Sequence, residues 1–249
     1  MELGEEQSGV LKAFLLKYLI PEKCYERFFH HLDFSHVPCV KIAVSKVIGF
    51  WIVGTLVAPV FQLWRVCRGG RSEGLSAAAV VLDLVAVSTR VAFCVQHNFP
   101  LGAWGDSVFV LVQLALLTLL IQHYKGHTAK GVVILGVYAV FMSVLTSPLT
   151  PRTVVTATYE WKVLVTIASR LIQVGCNQSS GCTGQLSGAY VFLVFMGSLG
   201  DLLSSIQDSG HSLHSQACVL SSCASAFLLL QILMLGEGER DGAREKKEE

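Results

Sequence analysis

Apolar residues gather along this chain in blocks that are too long for strands and too continuous for the one-sided stripes of a soluble helical domain. A helix needs about 20 mostly apolar residues to cross the hydrocarbon core of a bilayer. Seven blocks approach that length, at roughly 40–64, 76–96, 104–123, 131–148, 161–176, 187–206 and 215–235. The fifth is the shortest and is interrupted by Arg170. Glycine and proline mark the joints, at Arg68-Gly69-Gly70, Asn98-Phe99-Pro100, Lys125-Gly126, Ser147-Pro148-Leu149-Thr150-Pro151, Gly181 and Ser209-Gly210, where they break helices. Ahead of the first block, Val10–Ile20 is apolar but short, carries Lys12 and Lys17, and follows the acidic start Glu2, Glu5 and Glu6. That combination reads as an interfacial amphipathic segment and not as a signal peptide. From Gly236 the chain turns charged and reads as a disordered tail. The pattern therefore predicts an all-α, multi-pass membrane protein with seven transmembrane helices.

A repeat organises these blocks. Gln62 stands ahead of Leu75-Ser76, and Gln173 stands ahead of Leu186-Ser187, with one constant offset between the two sets. At the same offset Gly70 falls on Gly181, Val80 on Val191 and Leu82 on Leu193. The first three helices thus map onto the last three, with the fourth as a linker. Three is odd, so one extra helix returns the second unit to the orientation of the first, a plan known among transporters. The expected layout is an N-terminal interfacial segment (1–39), a first three-helix unit (40–123), a linker helix (131–148), a second unit (161–235) and a charged tail (236–249).

Composition supports the membrane reading. Of 249 residues 52% are hydrophobic and only 15% charged, against roughly 25% charged in an average soluble domain. A net charge of +1 gives no footprint for nucleic acid. The eight cysteines form no C-x-x-C pair. Most lie in or beside apolar runs, so free thiols are expected rather than a disulfide framework. Membrane lipids are the default surroundings and no cofactor or metal is implied.

Orientation follows from lysine and arginine in short loops. Arg65, Arg68 and Arg71 follow the first helix, Lys125 and Lys130 the third, and the tail holds Arg240, Arg244, Lys246 and Lys247. The opposite loops carry only Arg152, with Lys162 at a helix end. These put the C-terminus in the cytoplasm and the N-terminus in a lumen, against the pull of Lys12, Lys17, Lys23, Arg27, Lys41 and Lys46. The sequon Asn177-Gln178-Ser179 then falls in a cytoplasmic loop after the fifth helix, where no glycan is expected. Lys246 and Lys247, fourth and third from the end, resemble a dilysine retrieval signal to the endoplasmic reticulum.

The tandem Gln-to-Leu-Ser units resemble PQ-loop repeats, as in the three-plus-one-plus-three SWEET-type and lysosomal amino-acid transporters. More of the chain is similar to the mannose-P-dolichol utilization defect family of the endoplasmic reticulum. The stretches carrying that resemblance are Pro21-Glu22-Lys23-Cys24-Tyr25, His36-Val37-Pro38-Cys39, Ser72-Glu73-Gly74-Leu75-Ser76, Asn98-Phe99-Pro100 and Trp104-Gly105. They continue through His123-Tyr124-Lys125-Gly126, Ser147-Pro148-Leu149-Thr150-Pro151, Thr183-Gly184-Gln185-Leu186-Ser187 and Ser205-Ile206-Gln207, in order over nearly the whole chain. The resemblance implies a non-enzymatic accessory that makes dolichol-phosphate-mannose and dolichol-phosphate-glucose usable as donors for N-glycosylation and GPI-anchor synthesis. Its implied partners are those lipid-linked sugars and glycosyltransferases of the endoplasmic reticulum. The alternative is a small-solute transporter for a sugar or amino acid. The chain departs from the PQ pattern at its name-giving dipeptide, reading Phe61-Gln62 and Ile172-Gln173, with Pro59 the nearest proline. A proline inside a helix removes one backbone hydrogen bond, so Pro59 is the candidate hinge of the first helix, and the fifth has none.

Charges within spans are functional suspects because they are expensive there. Asp83 and Arg90 lie on one face of the second helix, about 10 Å apart along its axis. Arg170 lies one turn before Gln173 and suits a phosphate, or an ion pair with a carboxylate such as Asp83. Gln62, Gln173 and Asn177 suit hydrogen bonds to a sugar or head group, or act equally well as interhelical glue. These six residues form the expected substrate path.

Overall fold

A computed structural model describes residues 21–29, 37–181, 183–209 and 213–248. Every element among the described residues is helical. The order is α1 (Glu22–Phe29), α2 (Val37–Gly69), α3 (Ala77–Gln96), a 3-10 turn (Leu101–Ala103), α4 (Gly105–Tyr124), α5 (Thr128–Thr146), α6 (Arg152–Glu160), α7 (Lys162–Ser180), α8 (Gly188–Ser209) and α9 (Leu213–Glu248). The chain divides after Gly54, within α2, into a small N-terminal unit and a larger one. The interfacial segment expected at 10–20 lies outside the described residues.

In the N-terminal unit, Pro21 opens α1, its carbonyl accepting from the Cys24 and Tyr25 N–H groups at 2.9 and 3.0 Å. Glu22 in the first turn and Arg27 in the last complement the helix dipole. Tyr25 stacks on Phe29 one turn later, centroids 4.6 Å apart. Cys24 and Cys39 form a disulfide, with Cα atoms 5.3 Å apart. This corrects the expectation of free thiols at one pair. Both cysteines flank the connection between α1 and α2, outside the long apolar blocks, and both are buried. Cys67, Cys94, Cys176, Cys218 and Cys223 are free.

Among the described residues of the larger unit, five helices are long and apolar enough to cross a membrane: α3, α4, α5, most of α8 and the first part of α9. Their apolar side chains do not all turn inward. Along α5, Val132, Val133, Val137, Val140 and Val144 are each more than half exposed, an arrangement that suits lipid and not water. This is a helical multi-pass membrane protein by length, composition and exposure. Helix α7 has the length to span but bears Lys162, Arg170, Gln173, Asn177 and Gln178.

Packing concentrates on two helices. α3 lies against α4, α6 and α7, and α9 lies against α7 and α8. α5 packs on α3 and α4 and buries only Gly131 and Leu145, as befits a linker. The shared core includes Leu75 with Leu186, Val80 with Val191 and Leu117 with Leu228, each pair related by the repeat offset.

Several boundaries differ from the expected ones. α2 passes through Pro59 and runs on to Gly69 because no breaker stands between Pro59 and the Gly69-Gly70 pair, and Gly70 takes a left-handed φ of 58°. The stretch 152–160, expected as loop, forms α6 behind Pro151, since proline is well placed just before a first turn. α7 passes unbroken through Arg170 and ends at Ser180, with Gly181 left-handed at φ 64° as its cap. Asn177 is therefore inside a helix and fully buried, not in a loop. The tail expected to be disordered continues α9 to Glu248, in keeping with the helix propensity of Glu, Arg, Lys and Ala. The side chains of Lys246 and Lys247 lie outside the described ones.

Candidate functional site

The two glutamines of the repeat clasp each other's loops. Gln62 donates from Nε2 to the Gln185 carbonyl at 2.9 Å, and its Oε1 accepts from the Ser187 N–H at 2.8 Å. Gln173 donates from Nε2 to the Gly74 carbonyl at 2.7 Å, and its Oε1 accepts from the Ser76 N–H at 3.0 Å. The two pairs of bonds are the same arrangement made once from each repeat, with Gln62 in the place of Gln173 and Ser187 in the place of Ser76. Each loop begins the same way, with Leu75 N–H bonded to the Ser72 carbonyl and Leu186 N–H to the Thr183 carbonyl. Each then starts a helix on a serine cap, Ser76 Oγ accepting from Ala79 N–H and Ser187 Oγ from Tyr190 N–H. Where the loops cross, backbone meets backbone: Gln185 N–H donates to the Glu73 carbonyl at 2.9 Å. Gly74 and Gly184 lie in contact there, both with positive φ.

Both glutamine side chains are buried, at 1% and 5% exposure. A buried amide replaced by an apolar group orphans two backbone partners, at about 1–3 kcal/mol. Gln62→Leu and Gln173→Leu are each expected to lower the melting temperature of the purified protein, Gln173→Leu by more because it also strands the Asn177 amide oxygen. A loss at one site only would show that the other clasp adds no stability. Asn177 extends the second clasp, accepting from Gln173 Nε2 at 2.9 Å and donating to Gln231 Oε1 at 3.4 Å. Its amide is thereby used up within the bundle, leaving no room for a glycan on the folded chain.

Beyond the clasp lies a void of about 20 Å3, lined by both glutamines, Leu75, Leu186, Asp83 and Arg170. Its far wall is an ion pair. Arg170 Nη1 on α7 sits 3.0 Å from Asp83 Oδ2 on α3, both side chains about nine-tenths buried. The Tyr190 hydroxyl on α8 donates to the same oxygen at 3.5 Å. α3 and α7 are locked together here, helped by Ser169 Oγ donating to the Ala79 carbonyl at 2.9 Å.

On the other side of this pair opens an axial cavity of about 240 Å3. Its walls obey the repeat. Thr55 faces it with Thr166, Pro59 with Arg170, Asp83 with Val194 and Arg90 with Asp201. Val87 likewise faces it with Ser198, Val110 with Ser221 and Leu114 with Ser225, every pair again related by the repeat offset. The cavity thus lies on the axis relating the two repeats, but its chemistry is not symmetric. Three apolar residues from the first repeat oppose three serines from the second. A pyranose has the same two-sided character, with C–H groups on its faces and hydroxyls on its rim.

The mouth is charged. Arg90 Nη2 lies 3.7 Å from Asp106 Oδ2, both partly exposed, and Lys162 and Asp201 complete the rim. Such an exposed pair contributes little to stability. Lys162, Thr166, Ser198, Asp201 and Ser221 also line a second cleft of about 860 Å3, reaching past Trp161, Leu164, Ala217 and Cys218 between α7, α8 and α9. The axial cavity and the cleft therefore share one wall, at the Lys162 and Asp201 end of the bundle.

The six residues of the expected path separate into two groups. Asp83, Arg90 and Arg170 line the cavity, with Pro59 buried beside them. Gln62, Gln173 and Asn177 serve the clasps. Tyr190 and the serine wall were missed in the sequence. Tyr190 is the repeat counterpart of Ala79, and a bulky phenol replacing an alanine within a repeat was the signal available. No protein-family model matches the chain.

Proposed function

We propose that this chain is a seven-span, three-plus-one-plus-three membrane protein that holds the head group of a lipid-linked phosphosugar. Its role in that reading is an accessory for dolichol-phosphate-mannose and dolichol-phosphate-glucose use in the endoplasmic reticulum. The observation that carries the reading is the shape of the site. An axial cavity with a hydroxylated wall and an arginine on its floor shares a wall with a larger cleft between α7, α8 and α9. A sugar fits the first, a phosphate suits the arginine, and an isoprenoid chain requires a sideways exit into lipid. The ordered loop motifs shared with the mannose-P-dolichol utilization defect family support the same substrate class.

The Cys24–Cys39 disulfide supports the orientation, because disulfides persist in oxidising lumens and not in cytosol. It favours a lumenal N-terminal unit and, with an odd number of spans, a charged tail on the cytoplasmic side. In sealed microsomes, a membrane-impermeant maleimide should reach Cys24 and Cys39 only after reduction with permeabilisation. Labelling of Cys24 and Cys39 themselves in reduced but sealed vesicles, read in a variant without the free cysteines, would invert the topology.

Deletion of the gene tests the function. Cells lacking the protein should accumulate lipid-linked oligosaccharides without the mannoses that come from dolichol-phosphate-mannose. A normal oligosaccharide profile sinks the reading. The duplicated fold with its central cavity favours a second reading, a small-solute transporter for a sugar or amino acid, which uptake of labelled solutes into vesicles would reveal.

A further inference from the structure

Resting on the lipid-phosphosugar reading, we propose that Arg170 and Ser225 form an oxyanion subsite at the base of the axial cavity, with Asp83 competing for the same cation. Arg170 is buried at 8% exposure and Ser225 at 1%, and both line the cavity. Arg170 gives one Nη1 proton to Asp83 Oδ2, while its Nε has no hydrogen-bond partner. The hydroxyl of Ser225 is likewise buried without a partner. Buried donors are nearly always satisfied in a finished fold. Two orphaned donors lining one cavity indicate that the acceptor they serve is a ligand.

The geometry of the guanidinium states what kind. Its donors lie in a rigid planar fork, and oxyanions engage two of them at once. Asp83 occupies the Nη1 corner, so the side of the fork that includes Nε remains for a second oxyanion. An acceptor group serves the Nε–H and the Ser225 hydroxyl together, and a negative one gains most from the charge. Position 59, the repeat counterpart of Arg170, is proline. The axis therefore offers one cation at this depth and seats one phosphate. Charge balance explains Asp83. With the site empty, the carboxylate neutralises the arginine in a medium where an unpaired ion is prohibitively unstable. With a phosphate seated, the two anions share one cation, so ligand binding loosens the ion pair that joins α3 to α7.

The test uses the full chain in nanodiscs and three probes: a short isoprenyl phosphate mannose, inorganic phosphate and methyl mannoside. Binding is read by thermophoresis, with monodispersity and melting temperature recorded for each variant. The isoprenyl phosphate mannose should bind and the neutral mannoside should not. Arg170→Lys keeps the charge but removes the fork, and should weaken binding about tenfold or more. Ser225→Ala should weaken it by a smaller factor. Asp83→Asn keeps the shape and removes the competitor, and should tighten binding several-fold. Ser225→Ala leaves the ion pair intact, so its loss of affinity keeps the test decisive if the Asp83 or Arg170 variants misfold. Unchanged affinity in Ser225→Ala and in whichever of Asp83→Asn and Arg170→Lys folds, with the lipid-linked sugar still bound, overturns the subsite and leaves the functional reading intact. Inorganic phosphate binding that depends on Arg170 while the lipid-linked sugar gains nothing upholds the subsite and overturns the lipid reading. Failure of every probe to bind overturns both.

Discussion

Replacing Arg170 with methionine is expected to destabilise the protein by about 3–5 kcal/mol, enough to abolish a monodisperse population in detergent. The reason is the partner left behind. Asp83 Oδ2 takes its short bond from Arg170 at 3.0 Å, and the carboxylate is about nine-tenths buried between α3 and α7. The remaining Tyr190 hydroxyl, at 3.5 Å, is a neutral and longer contact. The matched double variant Asp83→Leu with Arg170→Met removes both charges. A hydrophobic pair of similar volume is often neutral or stabilising where an ion pair stood, so most of the lost stability should return. Melting temperatures of the two single variants and the double variant measure the coupling directly. A loss in the double equal to the sum of the two single losses would mean that the pair does not link the repeats. Binding should not return with stability, because the double variant has no cation.

The other large effect is expected at the crossing of the loops. Gly184 has φ of +49°, and a Cβ built on it would overlap the Glu73 carbonyl oxygen and approach Gly74 N at 3.1 Å. A left-handed conformation alone costs a non-glycine residue about 1–2 kcal/mol. Here the obstacle is also backbone, which cannot move without opening the clasp. Gly70 supplies the control. Its φ is +58° and a Cβ there meets nothing within 4 Å. Gly70→Ala should therefore show only the conformational penalty, while Gly184→Ala should lose that and the Gln62 and Gln173 bonds besides. Thermal unfolding of the two alanine variants distinguishes these cases. Equal losses would show that the crossing yields easily.

The helices were legible because lipid imposes long apolar runs, and the repeat was legible because backbone requirements preserved Gln, Leu-Ser and Gly at matching positions. What those residues do for one another was not. A glutamine before a helix end reads equally as a sugar ligand or as glue. Only the folded chain shows that each one bonds the loop of the other repeat. The Asp83–Arg170 pair joins residues 87 apart, and the sequence offered it only as one alternative. The disulfide was overlooked because cysteines in an apolar chain pass for small hydrophobes. The serine wall was invisible because serines in a spanning helix carry no pattern until their neighbours across the axis are known.

The reciprocity of the clasps bears on how such a chain arises and assembles. Neither repeat can satisfy its own glutamine or its own loop. A half-chain ending after the linker helix would carry one unengaged amide and one unheld turn, and its lone copy has no folded state in which both are met. Two halves meeting as a pair would complete both bonds in a single encounter. Fragments divided in the turn between α5 and α6, expressed together, are thus fit to complement each other. The ancestor of a fold built this way is most simply a dimer, whose subunits became inseparable once one gene encoded both.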